Sequence, residues 1–358
     1  MKYEYDNLSN LFEKNFARVS LKKLAKTSRF SVKNTGYIKR QNYRNYKMRF
    51  PFKPAENKEF DVVGFGTNAV DYLIEVPEYP QFNSKIHLSN YIQAAGGEIA
   101  TTMVGLRRLG LKTSYVGRFG ADKEGDFGLR SLRDENVDAR FAEQIEGART
   151  QIAFIVIDRR NGERTVIWHR DKLLAYDEKD APLQSAALGR VLHFTPHDTA
   201  ACLQMARTAK QNNAIVSIDI DNVFEGADEL LPQVDVLISS SEFPEKLVGI
   251  KDKKQSLREI KQRYGCKIVG MTLGEIGSLV LCENTFIETR GFAVPGGCRD
   301  TTGAGDSFRV GFLYGLLKNE SVENAARMAN AVAALKCRKL GARTALPNET
   351  ELFEILEN

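Results

Sequence analysis

Asp306 follows Gly303-Ala304-Gly305 and leads into a run in which Phe308, Phe312, Leu313 and Leu316 recur at helical spacing. Glycine has no Cβ, so Gly303 and Gly305 can take positive φ and bring their amides close to a ligand. The first amides of a helix lack carbonyl partners, and the helix end favours negative charge. A carboxylate beside such an anion cradle suits phosphoryl transfer to a hydroxyl, with Asp306 as base and the Gly303, Ala304 and Gly305 amides as anion hole. The plainer reading of the same residues is a glycine turn capped by an aspartate.

Other candidate residues are spread along the chain. FDVVGFG reads as a buried strand ending in glycine, and Asp71 follows it where a carboxylate could accept hydrogen bonds from a vicinal diol. Gly64-x-Gly66-x-x-Ala69 has dinucleotide-fold spacing, but YLIEVPEYP puts prolines and β-formers where the long helix should start. Gly96 and Gly97 precede a helix bearing Ile99, Met103 and Leu106. Asp126-Phe127-Gly128 lacks the companion motifs of protein kinases and carries no weight. TQIAFIVIDRRNGERTVIWHR reads as a hairpin turning at Asn161-Gly162. Arg170 ends it, either as a solvated charge or as a binder of a substrate carboxylate or phosphate.

These residues need a scaffold, and the second half supplies its pattern. VLHFTP, TAACLQMARTAKQNN, AIVSIDID and VDVLISS alternate strand with helix, which predicts a mostly parallel sheet covered on both faces. Sites in such sheets lie at the strands' C-terminal ends, where Asp219, Asp221 and Glu242 fall. Thr272-Leu273-Gly274-Glu275-Ile276-Gly277 joins two strands, and its glycines permit close approach to a nucleotide or simply a hairpin.

DTTGAGDSF closely resembles the second signature of the PfkB (ribokinase-like) carbohydrate kinases, and GG followed by a helix and LG resembles their first. The resemblance spans roughly residues 60 to 350 and implies an α/β fold: a ribokinase-like three-layer sandwich with a small β-sheet lid, drawn from about 72–95 and 140–170. It implies an ATP-dependent kinase acting on a sugar or sugar acid. A nucleoside kinase, or a non-catalytic sugar-binding regulator, is the alternative. Residue by residue, it makes Asp306 the catalytic base and places substrate at Asp71, Gly96 and Gly97. It borders ATP with Thr272, Gly274, Gly277, Gly305 and Asn330. Asp300 and Thr302, with the loop around Gly341, match a monovalent cation (K+) site. Glu242 is the nearest match to the acidic residue that orders Mg2+ through water, in a segment lacking the usual asparagine. Thr101 stands where the family has a sugar-binding asparagine. Trp168-His169-Arg170 resembles the stretch by which 2-keto-3-deoxygluconate kinases hold an acidic sugar.

Charge divides the 358 residues unevenly. Residues 1–58 hold 15 Lys/Arg against 4 Asp/Glu, leaving 36 against 42 for the remainder. We therefore expect a basic extension over 1–58, disordered or loosely attached, and a kinase domain over 59–358. An organelle presequence, a membrane-surface helix or an RNA-binding tail are other readings of the extension. The mildly acidic body argues against a nucleic-acid surface. Five cysteines without metal-like spacing suggest a reduced, cytoplasmic protein. The lid is the expected surface for a homodimer.

Overall fold

The computed structural model describes residues 47–357, so the expectations placed on residues 1–46 lie outside it. Thirteen strands form among the described residues: β1 Phe60–Phe65, β2 Ala69–Val76, β3 Asn90–Gly96, β4 Thr113–Gly120, β5 Asp138–Ile145, β6 Ile152–Asp158, β7 Arg164–His169, β8 Gly189–Phe194, β9 Ile215–Ile220, β10 Val236–Ser239, β11 Ile268–Thr272, β12 Gly277–Cys282 and β13 Thr285–Arg290. The α-helices are α1 Glu98–Arg108, α2 Lys123–Asp134, α3 Leu183–Ala186, α4 Thr199–Gln211, α5 Ala227–Leu230, α6 Phe243–Val248, α7 Lys253–Tyr264, α8 Ala304–Leu317, α9 Val322–Lys336 and α10 Glu349–Glu357.

Nine strands form one sheet in the order β13-β12-β11-β10-β9-β8-β1-β4-β5. From β11 to β5 all pairings are parallel, while β12 is antiparallel to both its neighbours. Successive side chains of a strand point to opposite faces, so a strand buried on both sides feeds two cores. Val62, Val191, Ile215, Val236 and Ile268 join a core with Met103 of α1, Phe308 of α8 and Ala329 of α9. Their sequence neighbours Val63, Leu192, Val216, Leu237 and Val269 pack with Met205 of α4 and Leu257 of α7. The result is the expected three-layer sandwich. No helix among the described residues is long and apolar enough to cross a membrane.

The second sheet, β3-β2-β6-β7, is the lid, with its own small core of Leu73, Ala153, Ile155 and Ile157. It differs from the expected 72–95 and 140–170 in one respect. Residues 138–145 are β5, the edge of the main sheet, and the second half of the lid begins at Ile152. Ala139 and Ala142 pack on one core and Phe141 on the other, which anchors β5 to the body.

The boundary drawn at residue 58 follows charge, but among the described residues those from Lys47 to Lys58 already pack with the body. Phe50 sets its ring edge against Phe312 at 5.7 Å, and the Met48 amide donates to the Glu323 carboxylate at 3.0 and 3.1 Å. Val322 N donates to Met48 O at 2.8 Å, and Arg190 and Lys58 tie the strap down through the carbonyls of Ala55 and Ala187. Losing one half-buried phenylalanine costs about 2 kcal/mol, and each kcal/mol moves the midpoint of a domain this large by about 2 °C. A chain starting at residue 59 should therefore melt at least about 4 °C below one starting at residue 47. Equal midpoints in a calorimetric scan would show that the strap adds nothing.

Candidate active site

The loop before α8 is built by main-chain geometry. Gly303 has φ 77°, and a Cβ there would come within 2.8 Å of the Ala342 Cβ, so only glycine fits the turn. The Ala304 amide donates to Thr301 O at 3.1 Å, and the helix ladder starts with Ser307 N to Gly303 O at 2.9 Å. Among the described residues the amides of Gly303, Gly305 and Asp306 have no main-chain acceptor. Of the expected Gly303–Gly305 set, Ala304 spends its donor inside the turn, whereas the Gly303 and Gly305 amides, with that of Asp306, remain open.

Asp306 is partly exposed in the first turn of α8. Burial of the carboxyl raises its pKa to about 7, Asp219 raises it further, and Arg309 and Arg164 act against them. Asp71, buried on β2, is also pushed up to about 7, by burial first, with Arg343 pulling down. A Cβ on Gly96 would lie 1.9 Å from the Asp71 carboxylate, so this glycine is absent space that the carboxylate fills. Gly97 has φ 86° and crosses the Asn68 backbone, where a Cβ would come within 2.3 Å.

Four further charged residues complete the site, and the sequence reading did not single them out. Arg343 is buried and donates to Gly96 O, to Ser131 Oγ at 3.1 Å and to Thr101 Oγ1 at 3.4 Å. Burial lowers its pKa to about 10, against the pull of Asp71. It brings a planar donor group to the place where Thr101 lacks an amide. Arg309 is buried, pairs with Asp219, donates to Ile238 O at 2.9 Å, and has no partner for its Nε among the described residues. Glu98 accepts from Thr67 Oγ1 at 3.0 Å, and burial, then Asp219, Asp306 and Asp221, push its pKa well above the usual carboxylate range. Arg164 of the lid donates to Thr301 Oγ1 at 3.2 Å, which brings it to the loop before Asp306. The available signal was an arginine inside the apolar run of α8; the other three sit in segments whose partners are remote in sequence.

A pocket of about 910 Å³ opens beside this loop. Thr272, Gly274, Gly277 and Asn330 line it together with Ala304, Gly305 and Arg164, so the expected nucleotide residues do converge. Asn330 spends its donors on Ser278 Oγ and Ala326 O, both at 3.0 Å, which fixes its side chain within the wall. A Cβ on Gly277 would sit 1.9 Å from Thr289 O, which makes this glycine obligatory.

Three expectations fare differently. Arg170 forms a two-pronged ion pair with Asp198 at 2.8 and 2.7 Å and donates to Leu174 O, so it offers no unpaired charge to an acidic substrate. The Glu242 side chain is 78% exposed and pairs with Lys246 at 3.5 Å, because Phe243 turns inward beside it. No group of three or more His, Cys, Asp or Glu among the described residues is arranged to hold a metal. Asp300 accepts from the amides of Thr302 at 2.8 Å and Gly341 at 2.7 Å, as a shared site requires, but the Lys336 ammonium lies among them.

Comparison with known proteins identifies the family of the chain. Residues 61–349 match the family described as pfkB family carbohydrate kinase. The chain is 27% identical to a ribokinase of Haemophilus influenzae, over 82% of this chain and 97% of the relative. It is 24% identical to a nucleoside kinase of Methanothermobacter thermautotrophicus, over 82% and 95%. The structure of Arabidopsis thaliana ribokinase complexed with ribose and ATP superposes with a TM-score of 0.71 at 22% identity, covering 84% of this chain and 99% of that one. With the family matched across most of its length, this chain belongs to the PfkB carbohydrate kinases, phosphotransferases that use an alcohol group as acceptor.

Proposed function

We propose that the protein transfers the γ-phosphate of ATP to a hydroxyl of a neutral sugar, with Asp306 removing the hydroxyl proton. The observation that carries this reading is the position of Asp306. The amides of Gly305 and Asp306 begin the helix whose first turn lines the nucleotide pocket, and the same carboxylate is close enough to Asp71 to feel its charge. As the acceptor oxygen forms its bond to the γ-phosphorus, the bond to the β–γ bridging oxygen breaks, the proton passes to Asp306 and ADP leaves. The transition state is loose, so positioning and charge neutralisation supply most of the acceleration. Free amides at the helix start meet the charge that develops, and Arg164 from the lid is the side chain placed to add to them.

The acceptor would lie against Asp71, which suits vicinal hydroxyls. A neutral acceptor is favoured over a sugar acid because Arg170 is already neutralised by Asp198. Arg343 compensates for the amide missing at Thr101, which favours a working enzyme over a binding-only regulator. Magnesium would be held by phosphate oxygens and water, with Asp221, an exposed carboxylate just after β9, as a candidate to order that water, and it would supply further neutralisation when bound.

A purified-enzyme panel of ribose, fructose, ketodeoxygluconate and adenosine with ATP should show turnover concentrated on a neutral sugar; preference for the acid or the nucleoside would contradict this part. Asp306→Asn should lower kcat by about 10²–10⁴-fold while ATP affinity stays within about threefold, and near-normal turnover would refute the base. Only the ionised carboxylate accepts a proton, so kcat/KM should fall about tenfold per pH unit once pH drops below about 7, with a plateau above. A profile flat from about pH 6 to 8 would exclude this assignment. Arg343→Met should raise KM for the sugar by about tenfold or more with KM for ATP little changed, checked on protein shown to be folded by circular dichroism.

A further inference from the structure

Lys336, the last residue of α9, is completely buried. Its ammonium donates to the main-chain carbonyl of Asp300 at 2.8 Å and lies 3.6 Å from the carboxylate of the same residue. That carboxylate holds the amide of Thr302, one residue before the turn glycine of the anion hole, and the amide of Gly341 in the loop after α9. Cys337 O accepts from the Arg299 amide at 2.9 Å, a second tie between the same two loops. The Lys336 side chain therefore sits where the loop entering the anion hole crosses the loop that packs against Gly303; burial lowers its pKa, and Asp300 opposes that by favouring the ammonium.

Stability alone does not account for the arrangement. An apolar side chain of similar volume generally serves a buried position at least as well as an ion pair, because removing two charges from water is costly. The ammonium also carries the charge and occupies the oxygen-lined place expected of a monovalent cation at Asp300 and Thr302. A potassium ion there would compete with Lys336 for the same carbonyl and be repelled by it. The hydroxyl of Thr302, whose amide the Asp300 carboxylate holds, is itself buried with no partner among the described residues.

We propose that Lys336 is a positioning residue whose tethered ammonium takes the place of a bound monovalent cation beneath the anion hole, so that phosphoryl transfer by this chain needs no added potassium. The proposal rests on the kinase reading above, and its test includes a measurement that does not depend on turnover. Melting of the wild-type protein should agree within about 1 °C in potassium and tetramethylammonium chloride at equal ionic strength, because an ion that does not bind the native state adds no stability. The wild-type rate should change less than about twofold between the two salts. Lys336→Ser opens space for an ion, so it should gain at least about 3 °C on adding potassium. Its kcat should fall about tenfold and recover about fivefold with potassium, while KM for ATP moves much less. Potassium activation of the wild type, or a Lys336→Ser protein indifferent to potassium in melting and rate, would overturn the proposal. Should Lys336→Ser fail to fold, the wild-type salt comparison still decides. If no acceptor is phosphorylated but the melting pattern appears, the kinase reading fails and the cation placement stands.

Discussion

Asp219 lies close enough to Asp306 to raise its hold on a proton, and Arg309 reaches from the helix to the sheet to pair with Asp219 and oppose that rise. Two carboxylates in a low-dielectric cleft would expel one another or bind a proton permanently without that charge. The rest of the architecture can be understood as support for this balance. The parallel sheet delivers Asp219 at the end of β9, α8 delivers Asp306 and Arg309 three residues apart on neighbouring turns, and the glycine turn at Gly303 starts the helix.

Charge is balanced in layers outward from that pair. Arg343 opposes Asp71, Lys336 opposes Asp300, and Arg164 reaches in from the lid. Each of these cations is drawn from a different segment, so the site is electrically complete only in the folded chain. The lid is part of this arrangement: the Thr301 amide and hydroxyl both donate to Gly162 O at the hairpin tip, at 3.2 and 3.1 Å. A Cβ on Gly162 would meet the main chain of Arg299 and Asp300 at 3.1 to 3.2 Å, which is why the tip is glycine. The lid hairpin and the loop before α8 are thus joined by hydrogen bonds at the hairpin tip.

Much of this was legible in the sequence because it is written in backbone chemistry. Glycines that must take positive φ, an aspartate at a helix start and alternating strand and helix patterns act locally; Thr272, Gly274, Gly277, Gly305 and Asn330 line one pocket, and Asp71, packed on Gly96, lies near enough to Asp306 to act on its charge. What the sequence did not disclose depends on contacts between distant segments. Arg343 meets Thr101 across 242 positions, and Lys336 meets Asp300 across 36. Charge also misplaces a boundary when it is read as packing: basic residues 47–58 carry Met48, Phe50 and Phe52, whose burial decides that they belong to the body. Strand pattern alone cannot say which sheet a strand joins, so β5 was assigned to the lid when its side chains anchor it to the main cores.

The claim on which the account turns is that Asp306 is held ready to gain a proton near neutrality. Titration of its side-chain carboxyl by ¹³C NMR, in protein labelled at aspartate and assigned with the Asp306→Asn variant, reads this directly. The account predicts a midpoint at about 7 in the nucleotide-free protein. A midpoint near the ordinary aspartate value of about 4 would contradict it, because such a group would be too weakly basic for the role and the surrounding balance of charges would have no purpose.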